Sequence, residues 1–352
     1  MNILILSKYE RNGASSRVRT YQYIDELQTH NTNLKFRISP LFSNTYVKNL
    51  YSRKNNFTEI LKSYLRRLLI FIFISKKYDF IYIEKEVFPF LSSVFEIILK
   101  KRGFKYIVDY DDAVFHNYDK HQLWIIRFLF SSKVSRIIKN SYKTVTGSKY
   151  LYNYATNFSK HIEFIPSTVS LEKYHNVVPQ SSNQKIIIGW IGTPKTSKFL
   201  IPYLDLFNEL QKNRNVEFRF IGLSTNFFNK KYNFKYVKWQ EQSEALDLNE
   251  IDIGIMPLDE DEFSKGKCAY KLIQFMALKK PVVASDVGAN NYVVKHEVSG
   301  FLAANNAQWK EYLIKLIEDE NLRQSLGIHG FESFKKDYSL ESQLTNFVNL
   351  FR

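Results

Sequence analysis

The sequence predicts an α/β chain built from two Rossmann-like domains, and three observations carry that expectation. An apolar run, Ile3-Leu4-Ile5-Leu6, leads into a loop containing Gly13 and then a helical stretch over about 16–27, the opening of a Rossmann-like unit. The same order returns at 186–191, an apolar run that ends in Gly192. A length of 352 residues suits two domains of ordinary size, and 45% hydrophobic with 16% aromatic residues describe packed cores rather than disorder.

The first domain is expected over 1–175. Phe80-Ile81-Tyr82-Ile83 and Tyr106-Ile107-Val108 read as strands, the second running into Asp109-Tyr110-Asp111-Asp112. Carboxylates at the carboxyl end of a parallel strand lie where α/β folds place ligands. Asp109-x-Asp111 has too few oxygen partners nearby for a metal site, so no metal is expected; capping of the next helix by Asp111 and Asp112 stays open. His116 reads as structural. Residues 143–148 and 162–166 supply the last strands of this domain.

Two segments of this half are basic and apolar together. Residues 46–77 place Lys48, Arg53, Lys54, Lys62, Arg66, Arg67, Lys76 and Lys77 around a run of Leu, Ile and Phe; 124–138 repeats the mixture around Trp124 and Phe128. Amphipathic basic helices lie in anionic interfaces, so membrane contact is expected, against the alternative of ordinary crossover helices. The net charge of +15 concentrates here, with +14 in residues 1–175 and +1 in the remainder. A basic half attracts an anionic partner. Without zinc-finger spacing, an RNA-recognition signature or a repeat, nucleic acid is not expected.

The single cysteine, Cys268, fits a reducing compartment and reads as a small buried residue. Residues 2–6 are too short for a signal-peptide core, and no stretch approaches the ~18 apolar residues of a membrane span. The expectation is a cytoplasmic chain, peripheral on the inner face of the cell membrane.

Residues 176–184, NVVPQSSNQ, read as a linker. The second domain, expected over 185–335, continues with strands at 216–222, 236–239 and 251–258, then four acids at 259–262 that read as a solvated loop. Residues 308–352 are helical in pattern, and 336–352 are expected to cross back to the first domain.

The stretch 264–290, SKGKCAYKLIQFMALKKPVVASDVGAN, is the most informative. A loop with Lys265, Gly266 and Lys267 leads into a helical run from 268 to about 278, which Pro281 follows. A helix N-terminus flanked by ammonium groups is a ready anion site, and Lys271, four residues after Lys267, would share its side. Solvated lysines on a buried helix remain the alternative.

The phrase Phe275-Met276-Ala277-Leu278-Lys279-Lys280-Pro281-Val282-Val283-Ala284-Ser285 resembles the donor-binding segment of the retaining GT-B glycosyltransferases of group 1 (family four). Their pattern is E-x7-E followed by AMA-x-G-x-PVVAS; here Gly266 and Gln274 stand where the two carboxylates belong. The resemblance implies two Rossmann-like domains facing a central cleft. It implies donor-binding roles for Gly266, Lys267, Cys268, Ala269, Tyr270 and Gln274. In the loop after 186–191, Gly192 matches, Thr193 replaces an arginine, Lys198 takes the lysine place and Lys195 is a candidate to compensate. Trp239 borders the nucleobase region, and Asp259 lies near sugar hydroxyls. Gly13, Ser15, Ser16 and Arg17 form the first loop, facing the sugar. The strand of Asp111 and Asp112 lines up with one ending in His-Asp, which puts Asp111 in the histidine place.

The expected reaction is therefore retaining, metal-independent transfer of a sugar from a nucleotide-diphosphate sugar to a glycan or lipid-linked acceptor, with no further cofactor. Asp111, Lys198 and Lys271 carry the expected chemistry: the lysines stabilise charge growing on the departing diphosphate. Surface polysaccharide or glycolipid assembly is the expected setting. A dinucleotide-dependent oxidoreductase would need a G-x-G-x-x-G that the first loop lacks; a basic binding protein would leave Lys198 and Lys271 without a role.

Overall fold

A computed structural model describes residues 1–30, 33–52, 54–175, 185–225, 227–228 and 231–352. The expected linker at 176–184 and Arg53 lie outside the described residues. The chain divides into two units: residues 1–167 with 265–268 and 343–352, and residues 168–264 with 269–342. The first unit ends at Ser167 rather than 175. Val169 instead forms a parallel bridge with Ser339, and the Leu171 amide donates to the Glu341 carboxylate at 2.9 Å, all within the second unit.

The first unit holds a parallel sheet of β1 (Asn2–Leu6), β2 (Lys35–Ile38), β3 (Phe80–Glu84), β4 (Lys105–Tyr110), β5 (Lys143–Thr146) and β6 (Ile162–Phe164), ordered β2-β1-β3-β4-β5-β6. Every residue of β3 is buried, as a parallel strand covered on both faces requires. Leu4, Leu6, Ile81, Ile83, Tyr106 and Val108 meet Phe71, Leu99 and Ile137 in one core. Residues 343–352 count with this unit: Phe347 stacks on Tyr23 with ring centres 4.3 Å apart, and Lys143 Nζ donates to the Asn349 carbonyl at 2.9 Å.

The second unit repeats the plan with β7 (Ile186–Ile191), β8 (Val216–Ile221), β9 (Lys235–Val237), β10 (Ile253–Met256), β11 (Val282–Ser285) and β12 (Phe301–Ala303), ordered β12-β11-β10-β7-β8-β9. Its core lies on both faces of the sheet, one around Leu272, Phe275 and Met276, the other around Trp190, Phe207 and Trp309. The fold class is α/β, two Rossmann-like units.

Local corrections concentrate in 259–278. Glu262–Lys265 is a short helix, and the next helix, Tyr270–Ala277, starts two residues later than expected. Ala269 precedes it in the left-handed region at φ 52°, which breaks any continuous helix from 268. Lys267 therefore sits off the helix and shares no face with Lys271.

Candidate active site

The first sheet reverses its strand order between β1 and β3, and open α/β sheets bind ligands beside that point, outside the strands' carboxyl ends. There the loop after β1 packs tightly: a Cβ on Gly13 would fall 2.3 Å from the Tyr9 Cβ. The helix that follows carries a π-helical turn, Arg17–Tyr21, a local widening often found at functional sites. Arg19 on that turn makes a buried bidentate pair with Asp109, at 2.9 and 2.6 Å, and donates to the Ile165 carbonyl at 2.7 Å. Ser16 and Thr20 donate to the buried Glu84 carboxylate, whose pKa burial raises.

Ser15 donates to Asp111 Oδ2 at 2.6 Å, and Lys85 Nζ lies 2.8 Å from Asp111 Oδ1 and 3.6 Å from Asp112. Burial alone would raise the Asp111 carboxyl, but the Lys85 ammonium and the Ser15 hydroxyl outweigh it and hold it down at about 2. Burial likewise opposes the Lys85 charge, yet Asp111 and Asp112 raise its pKa above the ordinary lysine range. Asp109 and Asp111, the two carboxylates of the Asp-x-Asp pair, thus already face cations of the chain. Neither Asp111 nor Asp112 caps the next helix, His116–Asp119, whose N-cap is Phe115. His116 bonds Asp119 at 2.9 Å and the Tyr150 hydroxyl at 2.8 Å, which makes it structural.

Residues 265–268 belong with this unit. Gly266 packs on Ala113, where a Cβ would approach to 2.5 Å. Lys267 Nζ lies 3.9 Å from Asp112, so the charge expected for a donor phosphate is directed at a carboxylate. The Cys268 thiol donates to the Asp111 carbonyl at 3.0 Å, and burial with the nearby Asp111 charge pushes its pKa up, so it stays protonated.

The second sheet reverses between β7 and β10. A Cβ on Gly192 would meet the Trp190 indole at 2.4 Å, and one on Gly222 would fall 2.0 Å from the Gly192 carbonyl oxygen. Gly222 also has φ +95°, so the loops after β7 and β8 meet through bare backbone that only glycine supplies. The Thr193 amide donates to Thr196 Oγ1 at 3.1 Å, closing a tight turn. Lys271, in the first turn of its helix, holds its ammonium 4.4 Å from the centre of the Trp190 ring, a cation–π contact beside the Gly192 turn. Lys198 is exposed, its ammonium 4.9 Å from the Phe199 ring centre; Lys195 and Asp259 are exposed as well.

Gln274 is buried, and its amide donates to the Tyr174 hydroxyl at 2.8 Å. Tyr174 in turn donates to Glu244 at 3.0 Å, and the Trp239 indole donates to the other Glu244 oxygen at 2.6 Å. Trp239 is therefore tied by its edge to Glu244 and packed against the core, which favours a supporting role over a stacking platform. Among the described residues, no group of three or more His, Cys, Asp or Glu side chains gathers to hold a metal ion.

Residues 185–319, which span this glycine turn and the Lys271 helix, match the family Glycosyl transferases group 1. An uncharacterized glycosyltransferase of Methanocaldococcus jannaschii is 26% identical over 235 residues, 58% of this chain and 62% of that relative. Among solved structures, Anabaena HepE in complex with UDP-glucose superposes with a TM-score of 0.69 at 13% identity, covering 99% of this chain and 100% of the other. Sucrose-phosphate synthase from Thermosynechococcus elongatus gives 0.68 at 12% identity over 100% and 98%. At these identities the two structures speak for the fold.

Ser15, Asp111 and Asp112 come together in the first unit around Lys85, and Gly192, Thr193 and Lys271 gather in the second. Arg17 and Ser16 are buried, Ser16 against Glu84 rather than toward a sugar. Sequence reasoning missed Lys85, Glu84, Arg19 and Glu244. Lys85 and Glu84 carried a usable signal, since they close an apolar strand as Asp109 and Asp111 do. Nothing in the spacing pointed to Glu244.

Proposed function

We propose that the chain transfers a sugar, with retention of anomeric configuration, from a nucleotide-diphosphate sugar held by the second unit to an acceptor taken by the first. The observation that carries this reading is the turn at the β7/β10 reversal. Bare backbone at Gly192 and Gly222 lets a diphosphate approach closely, and Lys271 beside Trp190 sits at the positive end of the helix Tyr270–Ala277. As the anomeric bond breaks, negative charge grows on the diphosphate, and a fixed ammonium stabilises it more in the transition state than before it. Lys198 and Lys195, exposed in the same loop, are suited to follow the phosphates. The Gln274 oxygen, its amide fixed by Tyr174, accepts from a ribose hydroxyl as a neutral stand-in for a carboxylate. Asp111 accepts from a sugar hydroxyl. Two structural neighbours, HepE in complex with UDP-glucose and Staphylococcus aureus TarM in complex with UDP, support a uridine nucleotide as the first donor to try.

The acceptor in this reading is lipid-linked. The helix Phe57–Ile72 exposes Leu61, Leu65, Leu69 and Ile72 beside Lys62 and Arg66, with Phe73 76% exposed just beyond it. In the same unit the helix Trp124–Phe130 has no buried residue, and Phe128 is 78% exposed. Apolar and cationic groups mixed on exposed helices suit an anionic membrane surface. Among the described residues no helix is long and apolar enough to cross a membrane. A thermal-shift panel of UDP, GDP, dTDP and ADP tests the donor reading. One diphosphate should raise the melting temperature dose-dependently; no shift with any of the four overturns it.

A further inference from the structure

The residue that the strand ends set most deliberately is Lys85, for which neither composition nor family likeness supplies a role. It follows β3 directly at the β1/β3 reversal, and its backbone stands in the left-handed region at φ 67°. A side chain there costs about 1 kcal/mol that glycine would avoid. Non-glycine strain of this kind persists where the surroundings over-determine it, and it clusters at functional sites. The left-handed residue keeps its amide on the Asp109 carbonyl at 2.9 Å. Its ammonium is buried and reaches across to the end of β4, 2.8 Å from Asp111 and 3.6 Å from Asp112.

Asp111 needs this partner. Among the described residues, the charged and titratable groups around it include Lys85 from the end of β3, Ser15 and Arg19 from the first helix, Lys8 and Tyr9 from the loop after β1, Asp109 and Asp112 from its own strand end, Lys267 beside Asp112, and Cys268 at its carbonyl. Arg19 is already committed to Asp109 through two hydrogen bonds. Lys85 thus pairs directly with Asp111, its ammonium within hydrogen-bond distance of the carboxylate. With it, a partly buried carboxylate stays ionised and oriented, able to accept a short charge-assisted hydrogen bond from a sugar hydroxyl and to stabilise positive charge that develops on the ring. Without it, burial favours the protonated acid, which has lost both functions.

We propose that Lys85 is a positioning residue for glycosyl transfer: together with Ser15 it holds the Asp111 carboxylate charged and aimed at a sugar hydroxyl. The proposal rests on the role given to Asp111 above. It is tested by carbon-13 NMR of aspartate carboxyls in the full chain, with Asp111→Asn used to identify the Asp111 signal. In the unmodified chain Asp111 stays ionised through the acid range in which the fold persists; a midpoint at pH 4 or above overturns the proposal without any variant. In Lys85→Met the same signal should titrate above pH 5. Nucleoside diphosphate release from the nucleotide sugar that the chain turns over should then acquire an acid limb near that midpoint, at least about tenfold deep, while Lys85→Arg restores a flat profile. An unshifted Asp111 signal in Lys85→Met, or a loss of rate equal at all pH values, overturns the role of Lys85 alone. Full turnover by a folded Asp111→Asn overturns the underlying reading of Asp111 instead. Should Lys85→Met melt below the assay temperature, Lys85→Gln replaces it with the same expected outcomes.

Discussion

Buried charge in the first unit comes in two kinds, and they lead to opposite pH behaviour. Arg19–Asp109 and Lys85–Asp111 are paired, and breaking a fully buried pair such as Arg19–Asp109 by removing one partner costs about 3–5 kcal/mol. Glu96 is different. Burial raises its pKa to about 7, offset in part by the Val87 amide that donates to Oε1 at 2.8 Å, while Oε2 is buried with no hydrogen-bond partner. A carboxyl whose folded pKa lies above its unfolded value makes the native state bind the extra proton. Its stabilising effect is full below the unfolded pKa of about 4.3 and is lost as pH rises to about 7. In Glu96→Gln, urea denaturation should therefore show a smaller fall in stability between pH 4.5 and 7.5 than the parent chain, by about 1–3 kcal/mol. Parallel pH curves for the two proteins would contradict the assignment. Depressed Asp111 works the other way: its contribution is present above about pH 4 and is lost as pH falls toward about 2.

At the scale of elements, what could be read from the chain followed from periodicity. The buried strands β1, β3, β4 and β7 are continuous apolar runs, and each stands where the run does. The loop and helix of 264–290 were legible in kind but not in geometry, because a left-handed Ala269 separates Lys267 from Lys271. Ala269 is neither a glycine nor a proline, so it does not announce the break. The missed members of the site are long-range partners: Lys85 and Asp111 lie on different strand ends, and Tyr174, Glu244 and Gln274 come from three separate segments. Hydrogen bonds across such distances leave no local pattern. The helices Phe57–Ile72 and Trp124–Phe130 were visible as basic, apolar segments, and their side chains carry a prediction. Leu65→Glu combined with Phe128→Glu should reduce co-sedimentation with vesicles containing phosphatidylglycerol by at least about fivefold, with little change in melting temperature. Retention on vesicles equal to that of the parent chain would remove the membrane from the proposal.

Taken whole, the chain runs one plan twice, and the two copies put different chemistry at the point where strand order reverses. In the first unit that point is crowded with buried carboxylates and the cations that hold them, suited to polar groups of a sugar. In the second it is a turn of glycine backbone with a lysine and a helix N-terminus, suited to phosphate. The group 1 match covers 185–319, the half with the phosphate-type turn, which accords with a donor held there. The decisive measurement is turnover by Lys271→Ala with the nucleotide sugar selected by the diphosphate panel. The rate should fall about 10²–10³-fold, as expected when a preorganised charge is taken from a developing anion, while the melting temperature stays near that of the parent. A folded Lys271→Ala protein that turns over at the parental rate would contradict the account.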